Sequence, residues 1–136
     1  MPGMNSSAPA PRAHVLVVED NAELRRLIVL TLRREYRVSE AVDAEQALAA
    51  MAQELPDALI LDVMMPGAMD GLALCDHIKR SPDMQGVHVI FVTARGQEHD
   101  IAFGMAMGAD AYFVKPFSPL ALIRHLDGLA CAHGEA

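Results

Sequence analysis

The chain has 136 residues, enough for one domain with its own core and no need of disulfides or a structural metal. A formal charge of −7 argues against gripping a nucleic-acid backbone, and 52% hydrophobic content suits a sheet covered on both faces. No stretch reaches the ~18 apolar residues of a membrane span, and Cys75 and Cys131 show no metal-ligand spacing, which favours a reducing, cytoplasmic setting.

Residues 1–12 are rich in Pro, Ser and Ala without an apolar h-region, so they read as a disordered leader rather than a signal peptide. The first strand, His14 to Val18, ends in Glu19-Asp20. Leu24, Leu27, Ile28 and Leu32 then recur at helical spacing and mark one buried face. Tyr36 to Ala41 is a shorter, more polar strand that suits a sheet edge, and Ala44 to Glu54 is a helix closed by Leu55-Pro56. Ala58 to Leu61 is a strand ending in Asp62, and Leu74 and Ile78 turn a helix from Gly71 to Arg80 inward. Val87 to Val92 ends in Thr93. The helix from Glu98 to Met107 is interrupted by Gly104, which costs roughly 1 kcal/mol against Ala. Ala111 to Val114 ends in Lys115-Pro116, and Ser118 caps a last helix opened by Pro119 with Leu122, Ile123 and Leu126 on its face. The domain spans 13–130, with 131–136 as a short tail.

This alternation gives (βα)₅, an α/β fold with a doubly wound five-stranded parallel sheet in the flavodoxin-like order 2-1-3-4-5. In that order the first and third strands are neighbours, so Asp20 and Asp62 are expected side by side at the switch point. Glu19, Asp20, Asp62, Thr93 and Lys115 all reach the carboxyl edge, where open α/β sheets bind ligands. Two carboxylates about 5 Å apart repel by roughly 3 kcal/mol at an effective dielectric near 20, and a hard cation relieves this. Taken singly, Asp20 or Asn21 reads as a helix cap, Asp62 as a turn residue, Thr93 as a strand former and Lys115 as a surface lysine. Lys115 is nevertheless one of only two lysines against nine arginines.

The order acidic pair, Asp, Thr, Lys resembles the receiver domain of bacterial two-component response regulators. Asp62 is followed by Val63-Met64-Met65-Pro66 and then by Met69-Asp70-Gly71, close to the receiver loop. The loop is one residue longer than the commonest form, around Gly67-Ala68. The resemblance implies that Asp62 accepts a phosphoryl group, aided by Thr93 and Lys115. It implies Mg²⁺ (or Mn²⁺) on Asp20, Asp62 and the backbone carbonyl of Met64, with Glu19 acting through a metal-bound water. It makes Tyr112 the aromatic partner of Thr93 in switching, and Met64 and Arg95 the residues that tune dephosphorylation. A cis peptide is expected between Lys115 and Pro116.

Met64 stands where a dehalogenase-type phosphatase carries a second Asp, and Glu19-Asp20-Asn21 would repel a flavin phosphate. The expectation is therefore a phosphorylation switch without small-molecule turnover. Its donor would be a histidine kinase or histidine phosphotransfer protein. Its output would be a protein partner at the face of the fourth helix, fifth strand and fifth helix, with no nucleic acid or membrane bound. A monomer or weak homodimer is expected, as a stand-alone receiver. The alternatives are a constitutive binding module and a receiver cut from a longer regulator.

Overall fold

A computed structural model describes residues 13–134, with side chains through position 129. In chain order the elements are β1 (His14–Val18), α1 (Ala22–Leu32), β2 (Arg37–Ala41), α2 (Ala44–Gln53), β3 (Ala58–Leu61), α3 (Gly71–Arg80), β4 (His88–Thr93), α4 (Glu98–Ala106), β5 (Ala111–Val114) and α5 (Pro119–Gly134). The five strands are parallel in the order β2-β1-β3-β4-β5, as the alternation predicts. The expected leader, 1–12, lies outside the described residues.

Side chains alternate across each strand, so one sheet feeds two cores. Leu16, Val18, Leu59, Leu61, Val89 and Phe91 pack with the buried faces of α2 and α3. Val15, Val17, Ile60, Ile90 and Val92 pack with Ile28 and Leu32 of α1 and Leu122 and Leu126 of α5. Burial on both faces explains the continuous apolar strands. β2 pairs on one side only, which agrees with its polar edge sequence.

Four expectations are corrected. Leu27 is 49% exposed. It sits about 100° around the helix from Ile28, whereas Leu24 and Leu32 flank Ile28 within about 40°. Gly104 does not break α4, for reasons given below. β4 begins at His88 and includes Thr93, so the strand is shifted by one residue from the expected run. The expected tail from 131 is helical through Gly134, because no breaker intervenes before that glycine.

Helix starts are fixed locally. Asn21, Asp43 and Asp70 accept from the backbone N–H of Leu24, Gln46 and Ala73 at 2.9, 2.8 and 2.8 Å. Each such cap contributes about 1 kcal/mol. Ser118 Oγ accepts from Ala121 N at 3.2 Å, as its position before Pro119 suggests.

Cys75 on α3 is fully buried, and burial pushes its thiol up to about 11. At pH 8 its thiolate population is then about a hundredfold or more below that of an ordinary cysteine. In a Cys131→Ser variant, a chromogenic disulfide reagent is expected to label the native protein correspondingly slowly and the urea-unfolded chain at once. Fast native labelling would mean that α3 opens readily.

Candidate functional site: the carboxyl edge of β1, β3, β4 and β5

Val18 is in register with Leu61, Leu61 with Phe91, and Thr93 with Val114. The residues that follow β1 and β3 are thus level at the sheet edge. Glu19, rather than Asp20, is the immediate neighbour of Asp62. The Glu19 N–H still donates to Ala41 O at 3.0 Å, which extends the strand ladder and turns the Glu19 side chain into the crevice. Asp20 lies one residue further out and is exposed.

Three of the expected residues are bonded to one another. Lys115 Nζ donates to Asp62 Oδ2 at 2.7 Å and to Glu19 Oε1 at 3.2 Å. The other Asp62 oxygen accepts from Met64 N at 2.9 Å, and Glu19 Oε2 accepts from Asn21 N at 3.0 Å. Both carboxylates are buried, Glu19 at 3% and Asp62 at 7% exposure. Burial pushes the Glu19 carboxyl above its ordinary range, outweighing the Asn21 N–H and Lys115. Burial alone would lower the Lys115 ammonium, but Asp62 and Glu19 overcome it and hold the group above its ordinary value. The peptide between Lys115 and Pro116 is cis, as expected.

Thr93 is wholly buried at the end of β4, and its Oγ1 accepts from Arg95 N at 3.3 Å. Arg95 Nε donates to Met64 Sδ at 3.4 Å, so these two side chains meet across the mouth of the site. Met64 is 54% exposed and offers incoming water a thioether rather than a strong hydrogen-bonding group. Tyr112 packs 5.7 Å from the Phe91 ring, and its hydroxyl donates to the Arg95 carbonyl at 2.6 Å. The capping that Asp20 or Asn21 could have supplied is done by Asn21, which leaves the Asp20 carboxylate uncommitted to that role.

Two glycines and one arginine make contacts at the site that the sequence does not show. A Cβ on Gly71 would lie 1.9 Å from the backbone oxygen of Asp62, so α3 starts directly against the residue at the centre of the site. A Cβ on Gly104 would lie 2.8 Å from the Tyr112 ring, so the apparent break in α4 is the space that ring occupies. Arg25 Nη1 donates to Glu19 O at 2.8 Å while its Nε pairs with Glu40. The glycine in Met69-Asp70-Gly71 was visible as a motif. The packing behind Gly104 left no local signal.

Among the described residues, no three His, Cys, Asp or Glu side chains converge closely enough to hold a metal by themselves, and no helix is long and apolar enough to cross a membrane.

The sequence profile of the response regulator receiver domain matches residues 15–127. A probable transcriptional regulator, ycf27, of Guillardia theta is 43% identical over 77% of the chain and 40% of its own length. The phosphate regulon transcriptional regulatory protein PhoB of Escherichia coli is 36% identical over 82% of the chain and 49% of its own length. The chain therefore spans less than half the length of these relatives. Among solved structures, a putative response regulator from Chloroflexus aurantiacus superposes with a TM-score of 0.81 at 33% identity, covering 86% of this chain and 96% of that one. The chemotaxis response regulator CheY4 of Vibrio cholerae superposes with a TM-score of 0.78 at 30% identity, covering 85% and 97%. With the profile across most of its length and the same fold in these neighbours, the chain belongs to the response regulator receiver domains of two-component signalling systems.

Proposed function

We propose that Asp62 accepts a phosphoryl group from a histidine kinase or histidine phosphotransfer protein, and that the aspartyl phosphate changes the affinity of this domain for a protein partner. The observation that carries this reading is the 2.7 Å contact of Lys115 Nζ with Asp62 Oδ2, with Thr93 buried at the end of the strand between β3 and β5. An Asp62 oxygen attacks the phosphorus of a phosphohistidine, the P–N bond breaks, and the imidazole leaves with a proton. Lys115 can stay paired with the phosphoryl oxygens as they form, and the Thr93 hydroxyl can donate to one of them. Little else is asked of the protein, since phosphoryl transfer is catalysed mainly by positioning and charge neutralisation.

Receivers typically hold Mg²⁺ in such an acidic pocket. The donors present here suit it, because Asp20, Asp62 and the Met64 carbonyl offer only oxygen, and Glu19 would act through water. Mn²⁺ fits the same donors. With Lys115 between Glu19 and Asp62, the ion would keep several waters, which is the ordinary habit of Mg²⁺. When bound, the ion supplies charge neutralisation to the transfer.

The phosphoryl group adds about −1.5 to −2 charge beside Thr93 and Lys115. Arg95 links Thr93 to Tyr112 through its N–H and carbonyl and reaches Asp100 of α4 through its guanidinium, so the face of α4, β5 and α5 is the proposed output surface. The relatives named as transcriptional regulators are about twice the length of this chain.

Intact-mass measurement after incubation with acetyl phosphate, with and without Mg²⁺, tests the proposal. The expected result is one Mg²⁺-dependent phosphoryl adduct, carried by the peptide that contains Asp62. No adduct with acetyl phosphate or with a cognate kinase would leave a constitutive binding module as the better reading.

Met64 gives a second expectation. A thioether cannot orient hydrolytic water, so the aspartyl phosphate should be long-lived, and Met64→Asn should shorten its half-life by roughly tenfold. Following loss of the adduct after removal of the donor checks this, and an unchanged half-life would remove Met64 from the dephosphorylation path.

A further inference from the structure

Arg95 touches four different parts of the site through four different atoms. Its backbone N–H donates to Thr93 Oγ1 at 3.3 Å, and its carbonyl accepts from the Tyr112 hydroxyl at 2.6 Å. Its Nε donates to Met64 Sδ at 3.4 Å, and its Nη1 lies 3.8 Å from Asp100 Oδ1. Asp100 belongs to the first turn of α4, where its other oxygen accepts from Gln97 N at 3.2 Å in a capping box. His99 Nε2 lies 3.5 Å from the same Asp100 oxygen as Arg95. The guanidinium therefore spans from the mouth of the acceptor site, marked by Met64, to the start of α4.

Such a cation has two competing anions once Asp62 carries phosphate. Asp100 offers a single charge through a long contact at 3.8 Å. A phosphoryl group offers about −1.5 to −2 charge and a set of oxygens that matches the planar fork of arginine. Arg95 meets the side chain of Met64, whose own N–H is bonded to Asp62 Oδ1, so a single residue separates the fork from the acceptor carboxylate.

The geometry points to Arg95 as the positioning residue that transmits the state of Asp62 to α4, its guanidinium passing from Asp100 to the phosphoryl group and so releasing the first turn of that helix. The inference rests on Asp62 being the acceptor. Thr93 acts in the same direction. When its hydroxyl turns to donate to a phosphoryl oxygen, the Arg95 N–H loses its acceptor, and the backbone that holds Tyr112 loosens together with the side chain. α4 is suited to respond, because only Gly104 within it is buried and both Phe103 and Met105 are exposed.

Amide exchange of residues 98–106, read by mass spectrometry with and without acetyl phosphate and Mg²⁺, tests this in wild type, Arg95→Ala and Asp100→Asn. The Asn retains an oxygen for Gln97 N, so the cap survives while the charge on Asp100 is removed. In wild type, phosphorylation should speed exchange in this segment by about fivefold or more. Asp100→Asn should show the faster exchange already without phosphate, with a smaller further rise. Arg95→Ala should do the same and shorten the life of the adduct. A purely structural role for Asp100 predicts no change in the phosphate-dependent rise. Wild-type exchange in both variants, with adduct present, would overturn the coupling and leave the acceptor intact. Absence of adduct in wild type, seen separately in the intact mass, would overturn the acceptor and the coupling together.

Discussion

Asp62→Asn is expected to abolish the phosphoryl adduct completely while changing stability by no more than about 1 kcal/mol. The functional half follows from chemistry, since a neutral amide is not a nucleophile toward phosphorus and no other carboxylate takes its place. Glu19 is the nearest candidate, but it is only 3% exposed and both its oxygens are already bonded, to Lys115 and Asn21 N. The structural half follows from two opposing changes. Asn keeps an oxygen for Met64 N but gives up the pair with Lys115. In exchange, a buried repulsion between Asp62 and Glu19 disappears, and Lys115 keeps Glu19 as its partner. Removing a charge from a crowded cluster is far cheaper than removing the counter-charge, which strands buried carboxylates. Mass spectrometry and a urea midpoint on the same preparation separate the two halves. An adduct of wild-type stoichiometry on Asp62→Asn would mean that another residue is the acceptor, and a large drop in midpoint would mean that the carboxylate is a structural element first.

The sequence discloses this fold and site unevenly, and the reasons are physical. Strand positions were legible because parallel strands buried on both faces have only apolar residues to offer. β1 and β3 accordingly coincide with their apolar runs, and the edge strand β5 does so although its residues are only partly buried. Lys115, Asp62 and Glu19 were legible because each ends such a run, so that parallel pairing alone brings them to one edge. Leu27 is apolar and near the helical period, so its sequence reads as core, and only the angle to Ile28 turns it to solvent. Register was the other weak point. That Glu19 rather than Asp20 lies level with Asp62 depends on the pairing of Val18 with Leu61, a long-range property that no local pattern encodes. The contact of Arg95 with Asp100 spans five residues across a loop and a cap, and the space for Tyr112 is made by Gly104 on a different element. These are contacts between elements, where the sequence shows only each side separately.

Gly71→Ala is expected to be the most damaging small substitution in the chain, costing more than about 3 kcal/mol. Adding one methyl group to a packed interior ordinarily costs ~1–3 kcal/mol, because a side chain nearby can rotate away. Here the added Cβ would meet backbone on every near side: Asp62 O at 1.9 Å, Asp62 C at 2.8 Å and Val63 Cα at 2.9 Å. Relief requires moving either α3 or the segment 62–63. α3 is held by the Asp70 cap on Ala73 N, by the Gly71 N–H on Val63 O at 2.9 Å, and by the fully buried Leu74, Cys75 and Ile78. The segment 62–63 is held by β3 on one side and by Lys115 on the other. A domain with a total stability of about 5–15 kcal/mol can lose much of it to such a conflict. Any folded fraction would have the Asp62 carbonyl displaced, so the adduct should form slowly as well. Gly128→Ala is the matched control. It lies on the exposed side of α5 with no atom within 4 Å of its Cβ position, and should stabilise the domain by roughly 0.5–1 kcal/mol. Urea midpoints for the two variants are therefore expected to move in opposite directions. If Gly71→Ala stayed within about 1 kcal/mol of wild type, α3 would not be seated against Asp62, and the placement of the acceptor by the start of that helix would have to be abandoned.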